Sequence, residues 1–249
     1  MMKTLIITGA SRGIGAATAR LAAENGYAVA VNYNRNQAAA LSVVEDIHSA
    51  GGTAEAICAD ISTEKGVLHL FSETDRLLQG QLAGLVNNAG ILETQMRLED
   101  MDIKRLERIF TANITGQFLC AREAVKRMST RHGGSGGSIV NVSSLAAKTG
   151  APNEYLDYAA SKAALDALTI GLSKEVAAEG IRVNGVRPAF IYTDIHADGG
   201  EPGRVDRIKE SIPMKRGGTP QEVAEAIVWL LSDKASYTTG SFIDLAGGR

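Results

Sequence analysis

A tyrosine and a lysine stand four residues apart in a YAASK segment, as Tyr158 and Lys162, within a stretch whose spacing predicts a helix over 157–179. Side chains four apart share one helix face, so both can reach the same ligand. A neighbouring ammonium favours the phenolate, which should lower the pKa of the tyrosine toward a range useful for acid–base chemistry. The pair predicts proton transfer at a substrate oxygen, with Tyr158 as the acid/base.

A serine pair at the end of a predicted strand adds a hydrogen-bond donor. Ser143 and Ser144 close the run NVSS, and alternation along a strand sends their hydroxyls to opposite faces. A hydrogen bond donated where negative charge develops stabilises a transition state. One of the two serines could fill this role, and alternation alone does not say which.

A glycine-rich turn follows the first predicted strand and leads directly into a helix. It reads TGASRGIG from Thr8 to Gly15. Backbone N–H groups and the helix dipole at such a turn attract phosphate. The spacing G-x-x-x-G-x-G differs from the commonest dinucleotide fingerprint, so the turn taken alone is also compatible with an ordinary glycine turn.

The elements that must position these residues alternate between strand and helix. Strands are predicted at 4–8, 28–32, 54–58, 84–87, 138–142, 181–186 and 241–245. Helices are predicted near 14–25, 36–49, 64–78, 103–130, 157–179 and 221–232. This alternation favours an α/β fold of the Rossmann type, a doubly wound seven-stranded parallel sheet with helices on both faces.

The domain organisation follows from the same pass along the chain. No linker or tandem repeat divides it, so residues 1–249 are predicted to form a single domain. A polar, glycine-rich segment at 193–213 interrupts the alternation and is interpreted as a lid over the site. Its basic group Arg204, Arg207 and Lys209 is either a solvated helix face or a site for an anionic substrate group.

Composition limits the classes of function. The chain carries 26 basic and 28 acidic residues, a formal charge of −2, which offers no general attraction for nucleic acid or anionic lipid. No run is long and apolar enough for a membrane helix, and no signal peptide is evident, so a cytoplasmic location is expected. Cys58 and Cys120 are expected to be buried thiols. The four histidines lack metal-ligand spacing, and no metal is expected.

Taken together, these motifs resemble the short-chain dehydrogenases/reductases. The glycine turn, an NNAG run at 87–90, Asn113 in ANITG, the second serine of NVSS and YAASK occur in the family's order. Each residue alone could be structural, but the set covers essentially the whole chain. Within the family the chain is most similar to bacterial glucose/ribitol-dehydrogenase-like oxidoreductases, many without an assigned substrate.

The resemblance implies roles for individual residues. Asn113, Ser144, Tyr158 and Lys162 form the catalytic set, with Asn113 holding a helix kink and a water that links Lys162 to solvent. The cofactor-binding residues implied are Gly9, Ser11, Arg12, Gly13, Ile14, Gly15, Asn34, Arg35, Asp60, Ile61, Asn87, Ala89, Gly90, Tyr158, Lys162, Pro188, Ile191 and Thr193. Asp60 could instead cap a helix.

Two departures from the family pattern stand out. Ala189 occupies a position where most relatives carry glycine, and alanine would be strained there if the backbone needs a positive φ. The stretch from Ser144 to Tyr158 is about a residue longer than in many relatives.

The cofactor expected is NADP(H). An NAD site usually ends its second strand with an acidic residue, whereas here Tyr33, Asn34 and Arg35 follow. Arg12 and Arg35 could converge on a 2′-phosphate. Alternatively, either arginine points into solvent, and Asn34 could serve a free ribose hydroxyl.

The reaction implied is hydride transfer between a nicotinamide and a carbonyl or alcohol carbon of a small molecule. A 3-oxoacyl-thioester reductase and a non-catalytic NADP(H)-binding sensor remain alternatives. The resemblance also implies a homotetramer that pairs the long fourth and fifth helices and the last strand between subunits.

Overall fold

A seven-stranded, wholly parallel sheet forms the centre of the molecule. The computed structural model describes residues 2–249. In chain order the strands are β1 (Lys3–Ile7), β2 (Tyr27–Tyr33), β3 (Thr53–Cys58), β4 (Gln81–Asn87), β5 (Gly137–Val142), β6 (Ile181–Pro188) and β7 (Phe242–Leu245). They lie side by side in the order β3-β2-β1-β4-β5-β6-β7. All seven predicted strands are confirmed, and the direction of winding reverses between β1 and β4.

Helices cover both faces of the sheet, as predicted. The α-helices are α1 (Gly13–Glu24), α2 (Gln37–Ser49), α3 (Glu64–Leu78), α4 (Ile103–Phe110), α5 (Gly116–Met128), α6 (Ala146–Thr149), α7 (Leu156–Val176), α8 (Ile195–Asp198), α9 (Arg204–Ile208) and α10 (Pro220–Leu231). Short 3₁₀ turns occupy Leu98–Asp100, Thr130–His132, Ala177–Glu179, Lys209–Ser211 and Asp233–Ala235.

Two hydrophobic cores result from side-chain alternation along the buried strands. In β1, Leu5 and Ile7 face the core under α1, α2 and α10, whereas Ile6 faces the core under α3 and α5. All three side chains are fully buried. Burial on both faces explains why the strands are nearly continuous apolar runs rather than alternating ones.

The helix predicted over 103–130 is not continuous. A π-helical turn at Thr111–Thr115 separates α4 from α5. A π turn inserts an extra residue into the ladder of hydrogen bonds and redirects the helix at that point. The prediction of one long helix was therefore wrong in its middle, at the residue where the family resemblance implied a kink.

The structure also bears on the predictions for the two cysteines and for the segment 193–213. Cys120 is buried as expected, but Cys58 is exposed at the end of β3, so its prediction was wrong. The polar segment 193–213 carries α8 and α9. Within residues 2–249, no helix has the length and apolar content needed to cross a membrane.

Candidate active site

A cavity of about 900 Å³ opens at the carboxyl ends of the strands, where the winding reverses between β1 and β4. Parallel α/β sheets bind ligands at this kind of position. The cavity runs from the glycine turn to Ser144 and Tyr158 and on to the segment 193–213. Its volume lies near the upper end of the range of ligand pockets in proteins.

The glycine turn is shaped by two residues in the left-handed region. Gly9 has φ +61° and Gly13 has φ +55°, values that L side chains rarely adopt. Helix α1 begins at Gly13, and no side chain caps its first N–H groups. Those donors and the helix dipole are therefore available to an anion.

Gly15 has a packing role rather than a lining role. A Cβ atom there would come within 2.6 Å of Asn88 Nδ2 and of the Gly9 oxygen. The cavity is lined by the other predicted residues of the turn, Gly9, Ser11, Arg12, Gly13 and Ile14. Direct contact between Gly15 and a ligand is thus not supported, and Gly15 instead lets the turn approach β4.

Asn32 holds the glycine turn from the side and was missed by the sequence analysis. Its Oδ1 accepts a hydrogen bond from Gly9 N at 3.1 Å, and its Nδ2 donates to the carbonyls of Ile57 and Ala59 at 3.3 and 3.0 Å. The signal was present, because Asn32 is a polar residue that ends an otherwise apolar strand. It ties the turn to the neighbouring strand.

Asn87 does not line the cavity, which corrects its predicted contact with the cofactor. Its side chain is fully buried and donates to Gln117 O at 3.2 Å and Asn141 Oδ1 at 3.0 Å. The next residue, Asn88, lines the cavity together with Ala89 and Gly90. Because strand alternation persists through the end of β4, consecutive asparagines point to different surroundings.

The far end of the cavity, near β2 and β3, contains Asn34, Arg35, Asp60 and Ile61 as expected. Asp60 Oδ1 accepts from Ser62 N at 3.0 Å. Helix α3 is capped by Thr63, which accepts from Gly66 N. The alternative in which Asp60 caps this helix was therefore wrong.

Tyr158 and Ser144 lie together in the cavity wall. Burial raises the pKa of Tyr158 to about 12, and the nearby Ser144 hydroxyl acts in the opposite direction. Ser143 is the other member of the pair, and its hydroxyl donates away to the Lys162 carbonyl at 3.1 Å. The structure therefore separates the two serines, and Ser144 is the one next to the tyrosine.

Lys162 is buried behind Tyr158. Its Nζ donates to Val142 O at 2.8 Å and lies 5.5 Å from the centre of the Tyr158 ring. Burial lowers the pKa of Lys162 to about 8, partly offset by Asp166. We expected the Lys162 ammonium to lower the pKa of Tyr158. That prediction was wrong for the protein by itself, because the removal of each side chain from solvent has the larger effect on its pKa.

Asn113 lies in the π turn, fully buried and outside the cavity lining. Its Oδ1 accepts from Ile91 N at 2.8 Å, and its Nδ2 donates to Ile91 O at 2.9 Å and to Ser161 Oγ at 3.2 Å. A Cβ on Gly90 would lie 3.4 Å from Lys162 Nζ and 3.5 Å from Asn113 Oδ1. Gly90 thus keeps a narrow space open between these two side chains.

The end of β6 supplies Pro188, Ile191 and Thr193 to the cavity wall. Ala189 does not have a positive φ, and its N–H donates to Leu245 O at 3.0 Å. Alanine therefore replaces glycine there without the backbone strain that the sequence left open.

The chain is similar to known oxidoreductases along almost its whole length. The family model described as enoyl-(acyl carrier protein) reductase matches residues 9–249. The uncharacterized oxidoreductase YgfF of Escherichia coli is 62% identical over 100% of both chains, and the 3-oxoacyl-[acyl-carrier-protein] reductase FabG of Staphylococcus epidermidis is 35% identical over 100% of this chain and 99% of its own. A solved structure of a Serratia marcescens short-chain dehydrogenase/reductase variant superimposes with a TM-score of 0.89 at 31% identity, covering 99% and 97% of the two chains.

The chain belongs to the short-chain dehydrogenase/reductase family. It is an oxidoreductase of that family, whose members use nicotinamide cofactors. Its fold and the order of its motifs agree with that assignment.

In this short-chain dehydrogenase/reductase, Thr193, His196, Asp198 and Arg204 of the predicted lid segment 193–213 line the cavity. Leu145, Glu154 and Tyr155 also line the cavity, whereas the exposed Asn153 does not. The Tyr155 hydroxyl donates to Gly199 O at 3.2 Å. The loop before α7 is thereby joined to the lid.

The basic group of the lid is fully paired with carboxylates. Arg204 bonds to Glu154 and Glu201, Arg207 to Glu201, and Lys209 to Asp206. Arg204 is 7% exposed, so the interpretation as a solvated face was wrong for this residue. Its charge joins the lid to the loop before α7.

Proposed function

We propose that the protein is an NADP(H)-dependent oxidoreductase that acts on a carbonyl or alcohol carbon, with Tyr158 as the acid/base. The observation that carries this proposal is that Ser144 and Tyr158 line the same cavity as an uncapped, glycine-rich helix N-terminus. Bound NADP(H) would supply or accept the hydride at its nicotinamide.

The residues present fit a dinucleotide. The uncapped N–H groups of α1 suit a pyrophosphate, and Gly9 and Gly13 allow its close approach. On this proposal, the pyrophosphate is held by Ser11 to Ile14, and the adenosine by Asp60, Ile61 and residues 88–90. The nicotinamide ribose is held by Tyr158 and Lys162, and the carboxamide by Pro188, Ile191 and Thr193.

Tyr158 would act as the acid in the direction of reduction. With a pKa of about 12, it keeps its proton at neutral pH, so it can donate that proton to a carbonyl oxygen. Ser144 donates a second hydrogen bond to the same oxygen. The buried Lys162 charge then stabilises the phenolate that is left behind, because opposite charges attract strongly away from solvent.

Asn113 and Gly90 support a route for the proton. They flank the space beside Lys162 Nζ, and we propose that a water molecule there links the lysine to solvent. The buried carboxamide of Asn113 accepts from the N–H of Ile91 and donates to its carbonyl, and these two bonds hold the π turn in place.

A preference for NADP(H) is supported by the end of β2. The residues that follow β2 in the sequence, Asn34 and Arg35, include no carboxylate to repel a 2′-phosphate, and both line the cavity together with Arg12. Two guanidinium groups can give charge-assisted hydrogen bonds to a dianionic phosphate.

The catalytic assignment is tested by Tyr158→Phe. We expect turnover of NADPH with any accepted carbonyl compound to fall by at least about 10²-fold, the scale of lost acid–base catalysis, with cofactor affinity little changed. Tyr27→Phe, whose hydroxyl bonds to Leu231 O far from the cavity, is the matched control. Near-normal single-turnover rates in Tyr158→Phe would overturn the mechanism. No turnover with any compound in the unmodified protein would favour a non-catalytic sensor.

The cofactor assignment is tested by dissociation constants for NADPH and NADH. Combined Arg12→Ala and Arg35→Ala substitutions should cost NADPH about 2–4 kcal/mol, since each charged hydrogen bond is worth about 1.5–3 kcal/mol and the two are partly redundant. NADH binding should change little. An equal or tighter NADH constant in the unmodified protein would contradict the preference.

A second candidate function is reduction of 3-oxoacyl thioesters. It is favoured by the similarity to the Staphylococcus epidermidis reductase over the whole chain. A screen of sugars, polyols, diketones, quinones and acyl thioesters, read by NADPH absorbance, separates the two. Activity confined to acyl carrier or coenzyme A thioesters would select this second candidate.

A further inference from the structure

An ion pair joins the lid to the glycine turn across the cavity. Arg12 Nη2 bonds to Asp198 Oδ2. Arg12 immediately precedes α1, Asp198 is the last residue of α8, and both residues line the cavity. The guanidinium that the proposed function assigns to a 2′-phosphate is therefore also bound by a carboxylate of the protein.

The pair is a weak attachment. The two side chains are 51% and 43% exposed, and ion pairs between exposed side chains contribute little to stability. A stronger anion at the same guanidinium can therefore displace Asp198 at small cost.

The other end of the lid is attached more firmly. The Arg204 side chain is only 9% exposed and bonds to both carboxylate oxygens of Glu154 as well as to Glu201. These pairs are more shielded from solvent than the Arg12–Asp198 pair, so breaking them costs more. The lid thus has one firm anchor near the substrate loop and one weak contact near the cofactor turn.

We propose that Asp198 is a selectivity-determining residue that competes with the 2′-phosphate of NADP(H) for Arg12. This inference rests on the proposed function. A phosphate dianion binds a guanidinium more strongly than a single carboxylate does, so NADP(H) displaces Asp198. The displaced carboxylate then faces a second anion, and repulsion moves the end of α8 outward while Arg204 holds the rest of the lid. NAD(H) has no 2′-phosphate and leaves the pair intact.

The competition predicts a cofactor-specific gain in affinity. Asp198→Asn should lower the dissociation constant for NADPH by about three- to five-fold, the fold-change that corresponds to the loss of an exposed ion pair. The dissociation constant for NADH should change by less than about two-fold. Asp206→Asn removes the same charge from the same lid, but its carboxylate bonds to Lys209 and Tyr192. It should leave the NADPH constant unchanged.

A double-mutant cycle isolates the contact. In an Arg12→Ala background, Asp198→Asn should no longer tighten NADPH binding. A gain that persists without Arg12, an equal gain with NADH, or an equal gain in Asp206→Asn would overturn the proposal. NADH binding by each variant verifies that the site is folded.

Different outcomes test the role of Arg12 and the competition by Asp198. If Arg12→Ala alone leaves NADPH affinity unchanged, the assignment of Arg12 to the 2′-phosphate is wrong. If Arg12→Ala weakens NADPH binding but Asp198→Asn gives no selective gain, only the competition is wrong.

Discussion

At the scale of single residues, solvent exclusion shapes the site as much as charge does. The spacing of Tyr158 and Lys162 predicted that they share a helix face, and they do. The sequence could not show how deeply both would be buried, so the predicted direction of the Tyr158 pKa was wrong. Burial depends on the tertiary packing around α7, which local spacing does not encode.

The low pKa of Lys162 should make cofactor binding sensitive to pH. Its value of about 8 lies below the ordinary lysine value, so the side chain loses its charge as pH rises through about 8 in the free protein. Anionic cofactor should therefore bind more weakly at pH 9.5 than at pH 7, because the charged lysine attracts it. Fluorescence titration of NADPH across this range measures the effect.

The control for this pH dependence is Lys162→Met. The variant cannot titrate at this position, so its NADPH constant should vary less over the same interval. An unchanged constant between pH 7 and 9.5 in the unmodified enzyme would rule out the role given to the lysine charge.

At the scale of secondary-structure elements, the sequence predicted the regular strands and helices well but did not predict local irregularities within them. All seven strands follow from short apolar runs separated by helices. The π turn within 103–130 was missed because hydrophobic spacing looks continuous through one inserted residue. The end of β4 at Asn87 was predicted correctly, but the sequence does not show which of the consecutive asparagines, Asn87 or Asn88, faces the cavity.

A buried ion pair fixes α4 against the start of α7. Arg105 Nε donates to Asp157 Oδ2 at 2.7 Å, with side chains only 4% and 0% exposed. Asp157 also accepts from Tyr158 N at 2.9 Å. Arg105→Ala should lower the free energy of unfolding by about 3–5 kcal/mol, since it leaves a buried carboxylate without its partner. Urea denaturation measures the loss.

An exposed pair gives the comparison. Arg97 and Glu99 are 62% and 68% exposed, so Arg97→Ala should change the free energy of unfolding by no more than about 1 kcal/mol. Replacing both members of the buried pair with apolar residues, as Arg105→Met with Asp157→Leu, should recover much of the stability. Equal losses for the Arg105 and Arg97 variants would refute this account.

At the scale of the whole molecule, the family resemblance predicts a homotetramer. Apolar side chains are exposed on α4, α5 and α7, which lie together on one side of the sheet: Ile103, Phe118, Leu156 and Ile170 are 66%, 44%, 39% and 43% exposed. We propose that these helices pair between subunits. The sequence indicated surplus apolar positions along 103–127 but could not show which of them the fold leaves uncovered.

A charge placed on this side should disrupt assembly. Phe118→Glu combined with Ile170→Glu is expected to reduce the mass measured by light scattering at micromolar concentration, because buried unpaired carboxylates are costly. Leu41→Glu is the matched control, since Leu41 is 49% exposed on α2, across the sheet. A monomeric unmodified protein would contradict the tetramer, and an unchanged mass in the double variant would place the contact elsewhere.

Because the sheet is parallel, the cavity lies at only one end of the strands, and the two ends of the molecule differ in how well they can carry an attached tag. The carboxyl ends of the strands carry the cavity, and its wall includes Arg249, whereas the opposite rim carries connecting turns and the start of β1 next to the exposed Met2. An affinity tag or a bead linked ahead of β1 would therefore sit away from the chemistry. The same fusion placed after Arg249 would stand at the mouth of the cavity and obstruct it.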